Sequence, residues 1–318
     1  MNPWAQAPNW TTGPSVVALG GGHGLAASLR ALRRVTDSVT AVVGVSDDGG
    51  SSGRIRRELG LMPPGDLRMA LAALCGDDTW GRTWSRVLQH RFEGAGELAG
   101  HAVGNLLISA LWEETDDVVA GLDWVAALLK AQGRVLPVAC EPVDLIAQVR
   151  GLGGRDVVTT LRGQVDIATT AGEVLSLQID PPDPSPCEPV LEAIGSAEMV
   201  VLGPGSWFTS VLPHLYVGPV HDAIVATAAT RVLVVNVAPQ EGETSGFTPA
   251  MYLRSLAGTF PDIRLDAVIV DPTSVHDEPL LRAACADLGA ETVIEEVRQS
   301  GTVHDALLLA SVFQRLLG

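Results

Sequence analysis

Short apolar runs alternate with amphipathic stretches at the start of the chain. Residues 15–19 (SVVAL) form a β-branched run that ends in glycines, and residues 39–45 form a second such run. Between them, residues 25–34 carry leucines at helical spacing, so that they share one face. A strand, a glycine turn, a helix and a strand make a βαβ opening, which predicts a parallel sheet covered on both faces.

The same alternation returns in the second half of the chain. Strand-sized apolar runs occupy residues 198–202, 231–236 and 267–270, and helical spacing recurs between them up to a last helix predicted at 302–316. Residues 134–189 interrupt this rhythm, because they are rich in Val, Thr and turn signals. The pattern therefore predicts an α/β fold with a Rossmann-like, doubly wound, mostly parallel sheet and a β-rich insertion at about 134–189.

The domain organisation follows from the same pattern. Polar residues and prolines dominate residues 1–14, which we interpret as a flexible leader without the apolar core of a secretory signal. Both halves of the chain are needed to complete one sheet. We therefore expect a single nucleotide-binding α/β domain over residues 15–318.

The charge of the chain changes which partners can be considered. Lys and Arg number 21 against 37 Asp and Glu, a net charge of −16, while 47% of the residues are hydrophobic. This balance excludes a disordered chain and argues against nucleic acid as a partner. The first 100 residues are nearly neutral, however, with 10 basic and 9 acidic side chains. A small anionic ligand would find a favourable local field there.

Cysteine usage and hydropathy indicate the compartment. No stretch reaches the 18 or more apolar residues that a membrane span requires. The four cysteines, Cys75, Cys140, Cys187 and Cys285, lie far apart without a CxxC pair. We therefore expect buried thiols in a cytoplasmic protein, with neither a zinc site nor a disulfide framework.

A glycine-rich loop follows the first predicted strand and precedes a predicted helix. It reads Gly20-Gly21-Gly22-His23-Gly24, and it fits the GxGxxA pattern loosely from Gly22 to Ala27. It is not a Walker A loop, because no Lys-Ser/Thr pair follows. Glycines allow a close backbone approach, and the helix N-terminus favours an anion. The alternative interpretation is a tight turn without a ligand.

A second loop after the 39–45 run concentrates polar groups. Residues 46–54 read SDDGGSSGR, with the adjacent carboxylates Asp47 and Asp48. These carboxylates cannot both be buried without partners. They could hold a ribose hydroxyl, a divalent cation or a reacting hydroxyl, and the glycines could form a nest of N–H groups for phosphate. The alternative is a solvated loop.

Three further loops complete the candidate site. Asp66 is a candidate N-cap of the next predicted helix, and Arg68 could reach a phosphate. His101 alone is more often a structural residue. Residues 203–206 repeat the strand, glycine turn and helix arrangement of the first loop. The candidate ligand-binding residues are Gly20, Gly21, Gly22, His23, Gly24, Asp47, Asp48, Gly49, Gly50, Ser51, Ser52, Arg54, Asp66, Arg68, Asn105, Gly203, Gly205, Ser206 and Asn236.

The loop motifs taken together resemble those of a known family. They are GGGHGL at 20–25, DDGGSSGR at 47–54, PGDLR at 64–68, GHAVGN at 100–105 and GPGS at 203–206. This set resembles the YvcK family, also called gluconeogenesis factor or UDP-N-acetylglucosamine-binding protein, which is related to the CofD phospholactate transferases. The resemblance extends from residue 16 to about residue 316. The DDGGSSGR string is its most specific part.

The resemblance implies a function and its site. It implies a cytoplasmic regulator without an established reaction, which binds a uridine diphosphate sugar and influences cell-wall precursors, central carbon metabolism and cell shape. The family's functional loops fall on residues 20–24, 47–54 and 203–206, together with Asp66 and Asn105. Two positions depart from the family pattern: His23 stands where Thr is common, and Ala102 where Ser is common. Each departure removes a hydroxyl.

Three hypotheses remain open from the residues. The first is a nucleotide-sugar-binding regulator whose ligand resembles UDP-N-acetylglucosamine. The second is a CofD-like transferase that moves a phospho-acyl group from a nucleotide donor to a deazaflavin alcohol with Mg²⁺ on the phosphates. The third is a dehydrogenase using NAD(P), for which no catalytic base is evident. In each case we expect a small phosphorylated nucleotide as ligand, and a homo-oligomer without a membrane span.

Overall fold

A central parallel sheet organises the computed structural model, which describes residues 13–318. The predicted leader at 1–14 lies almost wholly outside the described residues. The strands are β1 Val16–Gly20, β2 Val39–Val43, β3 Arg134–Pro137, β4 Asp144–Arg150, β5 Val158–Arg162, β6 Glu173–Asp180, β7 Met199–Leu202, β8 Thr230–Val234, β9 Ala267–Val270, β10 Glu291–Ile294, β11 Arg298–Ser300 and β12 Val303–His304.

Helices connect these strands and cover both faces of the main sheet. They are α1 Gly22–Leu32, α2 Gly50–Leu59, α3 Gly65–Ala73, α4 Thr79–Gln89, α5 Val103–Thr115, α6 Val118–Leu129, α7 Gln164–Ala168, α8 Glu188–Ser196, α9 Pro213–Tyr216, α10 Gly218–Ala226, α11 Pro249–Thr259, α12 Glu278–Asp287 and α13 Ala306–Leu317. A π-helical turn, Trp207–Val211, follows the 203–206 loop, and a 3₁₀ turn spans Pro272–Ser274.

The seven-stranded sheet has the order β10-β9-β8-β7-β1-β2-β3, and all its pairs are parallel. β1 pairs with β2 on one side and with β7 on the other, so the two halves of the chain meet at β1. Every residue of β1, β7 and β9 is buried. Continuous apolar strands of this kind fit a parallel sheet covered on both faces, and the predicted doubly wound α/β fold is confirmed.

The β-rich insertion forms a separate antiparallel sheet in the order β5-β4-β6. On β4 the buried residues Leu145, Ala147 and Val149 alternate with partly exposed ones, as expected for a sheet with one face covered. Residues 134–137 belong instead to the main sheet as β3, parallel to β2. The small sheet therefore begins later than the boundary predicted at 134.

The C-terminal helix begins later than predicted. Residues 298–304 form the β11–β12 hairpin, and the Asp305 carboxylate accepts hydrogen bonds from the N–H groups of Leu307 and Leu308. This side-chain cap fixes the start of α13 at Ala306 instead of at residue 302. α13 then packs against α1 and carries Phe313 into the core, where it is fully buried.

A disulfide joins Cys140 to Cys187, with 5.4 Å between their Cα atoms. The expectation of four thiols is therefore wrong for this pair, whereas Cys75 and Cys285 are free and buried. The bond closes the neck of the insertion, next to the antiparallel bridge between Ala139 and Pro186. Within residues 13–318, no helix has both the length and the apolar character needed to cross a membrane.

The burial of Phe313 makes a prediction about stability. We expect Phe313→Ala to lower the free energy of unfolding by about 3–5 kcal/mol, because it leaves a cavity between α13 and the core. Leu307→Ala on the same helix is the control, since that side chain is 65% exposed. Chemical denaturation measures both variants. Equal destabilisation by the two changes would contradict the packing of α13 described above.

Candidate functional site

The first glycine loop lies directly against the 203–205 turn. A Cβ atom on Gly24 would overlap the carbonyl oxygen of Pro204, so α1 can approach this closely only with glycine there. The Ser28 hydroxyl donates to the Gly203 carbonyl at 3.1 Å. The Asn236 amide both donates to and accepts from the backbone of Gly205, at 2.8 and 2.9 Å. Loops from β1, β7 and β8 are thereby locked together at the carboxyl edge of the sheet.

A cleft of about 910 Å³ opens beside these locked loops. Of the predicted site residues it is lined by His23, Gly24, Gly205 and Asn236. Its other wall comes from the C-terminal segment, which contains none of the predicted site residues. That wall and the β8 loop contribute Gln240, Gln299, Thr302, His304, Asp305 and Leu307. No local motif marks the C-terminal residues of this set, because tertiary packing alone brings them to the edge.

Asp66 occupies the N-terminus of α1. Its carboxylate accepts a hydrogen bond from the N–H of Gly22, and a Cβ atom on Gly21 would overlap it. The predicted role of Asp66 as the cap of its own helix is wrong, since α3 begins after Pro64 without a side-chain cap. Burial, and then the nearby charge of Asp47, raise the pKa of Asp66 to about 7. A carboxyl group with a raised pKa therefore lies at the N-terminus of α1, where the sequence predicts that an anion would bind.

Glu243 plays the equivalent part at the 203–206 loop. Its Oε1 accepts from the N–H of Phe208, at the start of the π-helical turn, at 3.3 Å. The residue is 4% exposed, and its Oε2 has no hydrogen-bond partner among the described residues. Burial raises the pKa of Glu243 to about 7. Glu243 is not among the candidate residues that the sequence indicates.

A buried hydrogen-bond network joins the second, third and fourth predicted loops. The Ser51 hydroxyl lies 2.9 Å from Nδ1 of His101 and accepts from Nδ2 of Asn105 at 3.0 Å. The Asn105 Oδ1 in turn accepts from Nε of Arg68 at 2.8 Å, and Arg68 also donates to Gln89. His101 is thus a hydrogen-bonded structural residue, as the sequence favoured.

The same network reaches the start of α5 at Ala102. Ala102 is the N-cap of α5 and has no hydroxyl of its own. The Ser51 hydroxyl instead accepts from the Ala102 N–H at 3.4 Å. Because this hydroxyl also accepts from Asn105, its own proton points to Nδ1 of His101. The Ser51 hydroxyl of the DDGGSSGR loop thus satisfies the backbone N–H at the start of α5.

Asp47 lies between the network and the glycine loop. Its Oδ1 accepts from the N–H of Gly49 at 3.0 Å, and its Oδ2 lies 2.6 Å from the position of a Cβ atom on Gly65. Asp47 and Asp66 are therefore neighbours across Gly65, and Ser52 borders the same point. Among residues 13–318 no group of three His, Cys, Asp or Glu side chains could hold a metal ion. Two carboxylates could hold Mg²⁺ only if a ligand supplies further oxygens.

Asp48 and Arg54 point away from this group. Oδ1 of Asp48 accepts from the N–H of Val165 at 3.0 Å, which ties the loop to the insertion. The Arg54 guanidinium donates to the carbonyls of Glu97 and Ala99, at 3.1 and 2.7 Å. Arg56 on α2 pairs with Asp144 of the insertion. These contacts give Asp48 and Arg54 a structural role.

The predicted residues thus fall into three neighbouring sets. One set borders the cleft and its locked loops: Gly20 to Gly24, Gly203, Gly205, Ser206 and Asn236. The second is the polar group of Asp47, Ser51, Ser52, Asp66, Arg68 and Asn105, which meets the first set at Gly21 and Gly22. The third set lies at and just before the start of α2, and consists of Asp48, Gly49, Gly50 and Arg54. In this set, Asp48 and Gly49 contact the insertion.

Comparison with known proteins assigns this arrangement to a family. The model of 2-phospho-L-lactate transferase CofD matches residues 16–302. The chain belongs to the CofD family. Within it, the chain is 48% identical to a putative gluconeogenesis factor from Mycobacterium leprae over 303 residues. The matched region covers 94% of this chain and 84% of that protein. It is 34% identical to the gluconeogenesis factor of Bacillus subtilis, over 83% of this chain and 81% of that protein.

A solved relative has the same fold. A UPF0052 family protein from Bacillus halodurans superposes with a TM-score of 0.85 at 32% sequence identity, over 95% of this chain and 99% of that chain. These matches confirm the resemblance to the YvcK, or gluconeogenesis factor, family.

The raised pKa of Asp66 predicts how stability changes with pH. The pKa in the folded protein is about 7, against an ordinary value near 4, so between these values the folded state keeps a proton that the unfolded state has released. This stabilisation is complete below pH 4 and is lost as the pH rises to 7. We expect wild type to lose roughly 1–2 kcal/mol more than Asp66→Asn between pH 5 and 8, after allowing for partial exposure.

Urea denaturation across this pH range measures the effect. Glu243 contributes a similar slope to both proteins, so the difference between them isolates Asp66. Asp156→Asn, in an exposed turn of the insertion, is the matched control and should run parallel to wild type. Parallel curves for wild type and Asp66→Asn would show that Asp66 does not titrate near neutral pH.

Proposed function

We propose that the chain is a nucleotide-sugar-binding regulator whose ligand resembles UDP-N-acetylglucosamine. The observation that carries the proposal is the cleft of about 910 Å³, bordered by the two glycine turns at the point where the halves of the sheet meet. Such switch points are where open α/β sheets bind nucleotides, and the volume suits a ligand of this size. Relatives named gluconeogenesis factor support a role in central carbon metabolism.

The proposed binding mode uses the backbone of the locked loops. The diphosphate would lie along Gly22 to Gly24 and the 203–206 turn, where the first turn of α1 leaves N–H groups without intrahelical acceptors. The uridine and the sugar would fill the cleft toward His23 and His304. Asp47 would hold a sugar hydroxyl, or Mg²⁺ together with the phosphate oxygens. Protonation of Asp66 and Glu243 near pH 7 would limit their repulsion of the diphosphate.

The cellular role follows from the ligand class. A protein that binds a cell-wall precursor sugar without converting it would report precursor supply to other proteins, and would so influence cell shape and carbon use. We further propose that it acts as a homo-oligomer in the cytoplasm. Light scattering coupled to gel filtration measures the oligomeric state.

A second candidate function is a CofD-like transferase. The observation that favours it is the pair of neighbouring carboxylates, Asp47 and Asp66, beside the proposed diphosphate position. Such a pair could orient an acceptor hydroxyl or share Mg²⁺ with phosphate oxygens. A dehydrogenase using NAD(P) gains no support from the family match.

Calorimetric titration with UDP-N-acetylglucosamine, GDP and NAD distinguishes these candidates. We expect binding of the uridine sugar, and about a tenfold weaker affinity in Asp47→Ala, because one charged hydrogen bond to a hydroxyl or metal is lost. Asp156→Ala is the matched control and should bind like wild type. Binding of GDP with none of the uridine sugar would favour the transferase. No heat with any of the three would contradict both proposals.

The affinity should also depend on pH. As the pH rises from 6 to 8, Asp66 and Glu243 lose their protons next to the proposed diphosphate position, so we expect affinity for UDP-N-acetylglucosamine to fall several-fold. The decrease in affinity should be smaller in Asp66→Asn, because the asparagine side chain stays uncharged over this pH range. An affinity that rises over this range would place the diphosphate away from these two carboxyl groups.

A further inference from the structure

A second cleft, of about 470 Å³, lies between the last turn of α1, the end of α3 and α4. Five arginines line it, and we call it the arginine cleft: Arg30, Arg33, Arg34, Arg82 and Arg86. Asp77 is the single carboxylate in its wall. In a chain with a net charge of −16, this concentration of positive charge stands apart from the general composition.

The one carboxylate in the wall is fully engaged. Asp77 pairs with both Arg33 and Arg34, and Arg82 donates to the carbonyl oxygen of the same residue. Arg33 is held rigidly, because its side chain is 8% exposed and also donates to Gln132 at 2.9 Å. Its Nε is nevertheless buried without a hydrogen-bond partner in the described part of the chain. Asp77 therefore compensates only part of the charge around it.

Arg30 and Arg86 have no ion-pair partner among residues 13–318. Partial burial and then the charge of Arg33 lower the pKa of Arg30. Arg82 and Arg86 are four residues apart on α4, a spacing at which like charges repel. The helix dipole favours a cation in the last turns of α1 and α4, but it does not account for Arg82 in the first half of α4.

We propose that the arginine cleft binds a small molecule that carries at least two phosphate groups. Guanidinium groups bind phosphate oxygens in bidentate fashion, and several of them around one cavity match a multiply charged anion better than a single phosphate. The cavity has the volume of a small-molecule site. It is concave and surrounded by an acidic molecule, which disfavours a long polyanion such as nucleic acid.

This site is distinct from the cleft proposed for the nucleotide sugar. Only Arg30 lines both cavities, on the outer side of α1. A bound anion in the arginine cleft would draw the Arg30 guanidinium toward it and so change the wall of the larger cleft. The second ligand would thus act as an effector of the first site, with a reciprocal coupling between the two affinities.

Titration of the full chain with inorganic pyrophosphate at low salt tests the proposal. We expect a saturable site that weakens by roughly tenfold in Arg82→Gln and in Arg86→Gln, because each removes one charged contact. Arg155→Gln, in an exposed turn of the insertion, removes the same charge elsewhere and should bind like wild type. Asp47→Ala should also keep the pyrophosphate site, which separates this result from the fate of the proposed function.

Three outcomes would overturn the proposal. The first is the absence of saturable binding in wild type. The second is equal weakening by Arg86→Gln and Arg155→Gln, which would indicate a general charge effect. The third is unchanged binding in both Arg82→Gln and Arg86→Gln, which would place pyrophosphate in the other cleft. Thermal denaturation of every variant confirms that lost binding is not lost folding, and Arg86→Lys should retain part of the affinity.

Discussion

The architecture depends on one close backbone contact, the approach of α1 to the carbonyl of Pro204 at Gly24. That contact joins the first βα unit to the β7 turn across the middle of the sheet, and Ser28 and Asn236 hold it with hydrogen bonds. Strand pairing alone would bring β1 beside β7, but it would not determine how their loops meet. Because the loops meet without a side chain between them, a cleft edged by backbone groups remains at the junction.

Electrostatics at this junction differ from those of a simple phosphate loop. Two carboxyl groups, the half-buried Asp66 and the buried Glu243, accept hydrogen bonds from N–H groups near the start of the helical segments that follow the glycine turns. Both have pKa values near 7 because burial disfavours their charged forms. One N–H group near the start of each segment is therefore satisfied by a carboxyl group of the chain itself, while other N–H groups of the first turn of α1 have no such partner. The proposed anion would bind beside carboxyl groups whose protonation reduces their repulsion of it.

The sequence predicts the fold well where elements are apolar throughout and fully buried. Buried runs such as β1 and β7 carry a clear signal, whereas the edge strand β10 and the β11–β12 hairpin are too polar and too exposed to give one. The candidate loops were recognised from glycines and carboxylates, and the structure brings most of them to one edge. The local sequence does not predict hydrogen bonds between residues that are distant in the chain. Asp66 caps α1, which begins 44 residues earlier, and Glu243 accepts a hydrogen bond from Phe208.

The two adjacent aspartates of the DDGGSSGR loop face different parts of the molecule. Asp47 borders the glycine loop, while Asp48 holds the backbone of Val165, far away in the chain. The two contacts belong to adjacent residues, so the DDGGSSGR loop links the three-stranded subdomain directly to the first glycine loop. A movement of α7 that keeps the Asp48–Val165 hydrogen bond would pull on the backbone that carries Asp47.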